Sequence, residues 1–121
     1  MSLTYLYNNF DISQHQLQIM AKLEIAIKHN LPPQEALSRI QGLLEELQRE
    51  QVGTVTDVTE TWNGNEGVFS FSAKGFDLSG KIKVEENQVS INGHLPFALS
   101  FFKGRISEVI REKAGQLLSG S

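Results

Sequence analysis

Three histidines, His15, His29 and His94, carry the most versatile chemistry in this chain. As metal ligands they would need helical i, i+4 spacing or acidic company, yet each lies in a separate segment and no pair has that spacing. His29 stands where a strand pattern gives way to a Pro-Pro helix start, a place for capping or surface exposure. The serines offer nucleophiles, but none sits in a G-x-S-x-G elbow, and Ser79-Gly80 falls inside a strand pattern. Gly64…Gly67 and Gly75…Gly80 precede no helix N-terminus, so they form no phosphate loop. Glu60 and Asp77 are the carboxylates with a general acid or base role open to them, although strand carboxylates ordinarily point to solvent. The absence of cysteine removes thiolate nucleophiles, zinc-cysteine sites and disulfides together. With no nucleophile beside a base, we expect no enzyme, no catalytic residue, no bound metal and no cofactor.

The aromatic residues offer binding chemistry instead. Along the C-terminal segment, Leu99, Phe102, Ile106, Ile110 and Leu117 cluster in a narrow arc at 100° per residue, which reads as the face docked on the sheet. Phe97 and Phe101 fall nearly opposite. Two phenylalanines left in water forgo roughly 3–6 kcal/mol of burial, more than a small domain ordinarily leaves unused. Three covers are open: the N-terminal tail with Tyr5, Tyr7 and Phe10, a second copy of the chain, or an apolar surface or partner protein. Lys103 and Arg105 flank the pair and make this end of the helix locally basic. A second aromatic set, Trp62, Phe69, Phe71, Phe76 and Phe102, has the composition to line an apolar cup beneath that helix, with Gly80 and Gly93 giving the strands room to bend. Trp62, beside a hairpin turn, is also simply a core or sheet-edge residue.

The elements that position these residues follow from periodicity. Leu17, Ile19, Ala21, Leu23, Ile25 and Ile27 alternate with polar neighbours, which specifies a strand over Lys22–Lys28 that reaches back toward Gln16. Pro32-Pro33 opens a helix expected over Gln34–Glu50, with Leu37, Ile40, Leu44 and Leu47 as its apolar stripe. A strand Thr54–Trp62 comes next, with Val58 and Trp62 sharing a face with Thr54, Thr56 and Glu60. Asn63-Gly64-Asn65-Glu66-Gly67 and Lys74-Gly75 are hairpin turns, since Asn and Gly accept positive φ. The strands Val68–Ala73, Phe76–Val84 and Val89–Leu95 follow, the last two joined by Glu85-Glu86-Asn87-Gln88. A Leu95-Pro96 break then leads into the last helix. The result is an α+β domain: a five-stranded, mainly antiparallel sheet in β-α-β-β-β-β-α order with both helices on one face.

Composition narrows the function classes. The 121 residues, 40% apolar and 21% charged, suit one domain with one modest core. A formal net charge of −3 argues against attraction to phosphate backbones, so no nucleic-acid partner is expected. No apolar run reaches the roughly 18–20 residues of a membrane span, and the first residues have no secretory-signal pattern. The expectation is a cytoplasmic protein. Residues 1–19 read as an N-terminal extension without an essential role, Met20 as an alternative translation start, and 20–121 as the domain proper.

Several segments resemble the polyhydroxyalkanoic acid system proteins, a small family encoded beside storage-polyester genes in bacteria. They are Ile25-Ala26-Ile27-Lys28-His29-Asn30-Leu31, Gln34-Glu35-Ala36 with Arg39-Ile40, Trp62 before the Asn-Gly turn, Gly80-Lys81-Ile82-Lys83-Val84, and Leu95-Pro96 leading to Phe102-Lys103-Gly104. The resemblance covers Ala21 to Leu118. It implies association with polyester granules, or with the proteins that make and use them, and it carries no catalytic residues to transfer. Combined with the aromatic patch, it points to a non-enzymatic accessory protein at the storage-granule surface, with Phe97, Phe101, Lys103 and Arg105 as the contact. The alternative is a small domain that binds an apolar acyl or lipid ligand, in the manner of helix-grip proteins.

Overall fold

The computed structural model describes residues 20–50 and 54–119. The expectations for residues 1–19, including the strand reaching back toward Gln16 and the tail aromatics Tyr5, Tyr7 and Phe10, lie outside the described residues. Strand β1 (Met20–Lys28) is followed by helices α1 (Pro33–Ile40) and α2 (Leu43–Glu50). Strands β2 (Val55–Asn63), β3 (Glu66–Ala73), β4 (Phe76–Val84) and β5 (Gln88–Pro96) come next, then a 3-10 segment Phe97–Phe102 and helix α3 (Lys103–Ser119). The sheet order is β1-β5-β4-β3-β2, and every pairing is antiparallel. Element order, sheet type and fold class match the sequence reading.

Alternation drives the sheet onto its helices. Leu23 and Ile25 of β1, Phe69 and Phe71 of β3, Leu78, Ile82 and Val84 of β4, and Val89, Ile91 and Leu95 of β5 are buried on one face. Against them lie Ala36 and Ile40 of α1, Leu43, Leu44 and Leu47 of α2, and Ile110, Ala114 and Leu118 of α3. The opposite face of the sheet carries exposed Lys22, Glu24, Lys81 and Lys83, the pattern of an antiparallel sheet with one face wet.

Two local departures from the expected pattern have clear causes. The helix expected over Gln34–Glu50 is broken: Gln41 is extended (ψ 126°) and Gly42 has φ +98°, a conformation glycine reaches without strain. The break is tied to the sheet, because the Gly42 N–H donates to Glu60 Oε2 (3.1 Å). In β2, the pairing with β3 slips between Thr56 and Thr59, where Asp57 takes φ +54°. This bulge re-aims the strand, so Val55, Val58, Glu60 and Trp62 are half-buried while Thr54 and Thr56 face solvent. The single face expected for Thr54, Thr56 and Val58 is therefore split at the bulge.

His29, expected at a cap or on the surface, is buried and acts as a pin. Its Nδ1 accepts the Leu31 N–H (3.1 Å), so Nε2 carries the proton and donates to the Glu85 carbonyl (3.0 Å). The start of the helical segment is thereby fastened to the β4–β5 turn.

Candidate functional site

A cavity of about 410 Å³ opens between the sheet and the helices on the β2–β3–β4 side, within the size range of small-molecule sites. The sheet supplies Val55, Phe71, Ala73 and Leu78, and α2 supplies Leu44 and Leu47. The 3-10 segment contributes Leu99 and Phe102, and α3 contributes Ile106, Val109 and Ile110. Among the described residues, the only polar ones in the lining are Thr54, Lys74 and Arg105, and all three are exposed. Among the described residues, no carboxylate lines it.

Local sequence explains the rim. Lys74-Gly75 joins Ala73 to Phe76 as a two-residue loop with φ of +53° and +81°, the backbone a type I′ hairpin turn requires. The turn holds Lys74 at the end of β3, with its Nζ 5.5 Å from the centroid of the Phe102 ring, a cation–π contact across the opening. Arg105 lies in the first turn of α3 and pairs with Glu108 (3.2 Å) on the exposed face. Among the described residues, no carboxylate forms an ion pair with Lys74.

Of the five aromatic residues expected to line a cup, Phe71 and Phe102 do so. Trp62 lies over Gly67, its cross-strand partner, where a Cβ would sit 2.7 Å from the indole, and its Nε1–H donates to Glu60 Oε2 (2.5 Å). Phe69 is buried solidly against Gly80: its Cζ occupies the space a Cβ there would need, at 2.7 Å. Gly80 and Gly93 pair directly across β4 and β5. They make room for this ring and for close strand approach, where bending to enclose a ligand was the expectation. Phe76, at the start of β4, is 38% exposed and outside the cavity lining.

The C-terminal pair is out in the open. Phe97 is 59% and Phe101 is 91% exposed, while Leu99 between them is buried. Lys103 is exposed beside them. Phe102, assigned by helical phase to the docked face, is 45% exposed, because it looks across the cavity mouth. It therefore belongs both to the rim and to the exposed aromatic turn. The residues that sequence reasoning missed are Lys74 and the α2 wall. Lys74 was visible only as turn chemistry, and Leu44 and Leu47 only as a stripe docked on the sheet.

No curated protein matches this chain in sequence. Among solved structures, it resembles the di-domain ARO/CYC BexL from the BE-7585A biosynthetic pathway (TM-score 0.50, 9% identity), over 98% of this chain and 61% of that one. The chain thus spans less than two thirds of that structure. Ara h 8.0201 (TM-score 0.47, 14% identity, 84% and 99% of the two chains) is also similar. So is the Zhui aromatase/cyclase from Streptomyces sp. R1128 (0.46, 10%, 84% and 92%). At these identities, BexL shows a shared fold alone: an antiparallel sheet with a long C-terminal helix laid across it. The sequence comparison is more specific: the model of the family described as putative polyhydroxyalkanoic acid system protein matches residues 23–118, and the chain belongs to that family.

Proposed function

We propose that this protein is a non-enzymatic accessory component of the bacterial polyhydroxyalkanoate system that attaches to storage-polyester granules, or to proteins on them, through its Phe97–Phe102 turn. The observation that carries the reading is the exposure of Phe97 and Phe101, at 59% and 91%, in a chain of this family. Each ring gains roughly 1.5–3 kcal/mol when a surface removes it from water. Lys103 and Arg105, just beyond, keep the flanks hydrated and orient the turn, as charged residues do for amphipathic segments adsorbed at an interface. Among the described residues no helix is long and apolar enough to cross a membrane, so attachment through a surface patch fits better than a membrane-spanning anchor. The protein would then act in the cytoplasm, at the granule surface.

Sedimentation with purified granules tests this. Phe97→Ser with Phe101→Ser should abolish co-sedimentation while shifting folding stability by no more than about 0.5 kcal/mol, since neither ring is buried. Undiminished binding by that variant removes the patch from consideration.

A second reading, an apolar-ligand domain, is favoured by the cavity of about 410 Å³. The two readings share Phe102, which lines the cavity and adjoins the exposed pair.

A further inference from the structure

We propose that the cavity takes an acyl chain ending in an anionic group, and that Lys74 and Arg105 recognise that group at the rim. The inference rests on the apolar-ligand reading and adds the chemical class of the ligand. The walls are aliphatic and aromatic, so the part of a ligand that enters must be hydrocarbon. Among the described residues, the only charges in the lining are two cations, both at the exposed edge, and no acidic residue lines the site to oppose them. A ligand therefore enters tail first and leaves its head at the mouth.

The two cations are free to respond. Lys74 has no carboxylate partner among the described residues and rests over the Phe102 ring. Its position is set by a turn whose two positive φ values fix the backbone. The partner of Arg105, Glu108, is held at 3.2 Å with both side chains more than 60% exposed. Such surface pairs are weak, and an incoming anion that offers a better-placed acceptor displaces them. Phe102 completes the device, because the ring contacted by Lys74 is itself part of the cavity wall. Withdrawing the ammonium toward a ligand head uncovers the ring that the ligand tail then meets.

Two sources place an anion beyond an acyl chain: a free fatty or hydroxy acid, whose carboxylate ends the chain itself, and an acyl thioester of coenzyme A, whose phosphates lie past a neutral thioester and its pantetheine arm. Calorimetric titration of the full chain with octanoate, octanol and octanoyl-coenzyme A separates them. Octanoate should bind about tenfold tighter than octanol, the value of one hydrogen bond to a charged group. In the Lys74→Gln/Arg105→Gln variant that preference of octanoate over octanol should vanish. Octanoyl-coenzyme A binding tighter than octanoate, with the same sensitivity to the variant, assigns the thioester; weaker binding assigns the free acid. Ile106→Trp, which places an indole in the cavity, should weaken all three ligands. If octanol matches octanoate in the parent protein, recognition of the head group is overturned and the apolar cavity still stands. If none of the three binds, the ligand reading falls and this proposal falls with it.

Discussion

Glu60 does the work of several residues. Its Oε2 accepts both the Gly42 N–H at the helix break and the Trp62 indole N–H, while its Oε1 is buried with no partner among the described residues. The carboxylate thereby joins α1–α2, the edge strand β2 and the indole over Gly67. Glu60→Ala strands two donors and should cost about 1–3 kcal/mol in urea unfolding. The residue type suits a general acid or base, and the partners it has here make it a structural tie. Glu85 plays a different part in the β4–β5 turn. Hydrogen bonds from Ser90 and then Gln88, helped by the Lys83 charge, hold its carboxyl below the usual carboxylate range. A depressed folded value means that stability from this group is fully present above the ordinary carboxylate value of about 4.3. It is lost as pH falls below that value through the depressed one. Unfolding midpoints measured from neutral pH down to strong acid should therefore fall less steeply for Glu85→Gln than for the parent.

At the scale of elements, paired glycines decide how the sheet closes. Gly80 faces Gly93 on one side and Phe69 on the other in the register of β3, β4 and β5. A Cβ on Gly80 would lie 2.3 Å from the Asn92 carbonyl oxygen, a backbone atom that cannot swing aside. Gly80→Ala should destabilise the protein by about 1–3 kcal/mol, measured by thermal or chemical unfolding. Gly64→Ala, at a position where a Cβ meets nothing but φ is +63°, serves as the comparison for backbone strain without a clash. The strands and turns were legible because alternation and Asn-Gly or Lys-Gly pairs are local signals. The helix break and the β2 bulge were not. Gly42 is tolerable within a helical pattern, and what makes it a break is Glu60 arriving from another element. Asp57 reads as an ordinary strand residue until its pairing with β3 is known.

For the whole molecule, periodicity, turn chemistry and motif order were enough to place the strands and helices, their sequence along the chain, and the family, whose match over residues 23–118 nearly coincides with the span Ala21–Leu118 read from the motifs. Helical phase also placed Phe97 and Phe101 away from the docked face, and both are exposed. These properties depend on residues close together in the chain, so the chain alone carries them. The cavity was decided only in three dimensions. Which aromatics fill space and which border it follows from register: Phe69 lies over a glycine pair and becomes solid core, whereas Phe71, two residues on, borders the opening. The rim likewise needs a β3–β4 turn and the end of a 3-10 segment to meet, and their distance in sequence says nothing about that. A void is what remains when the sheet and helices have met as far as their side chains allow, and no single segment encodes the gap between them.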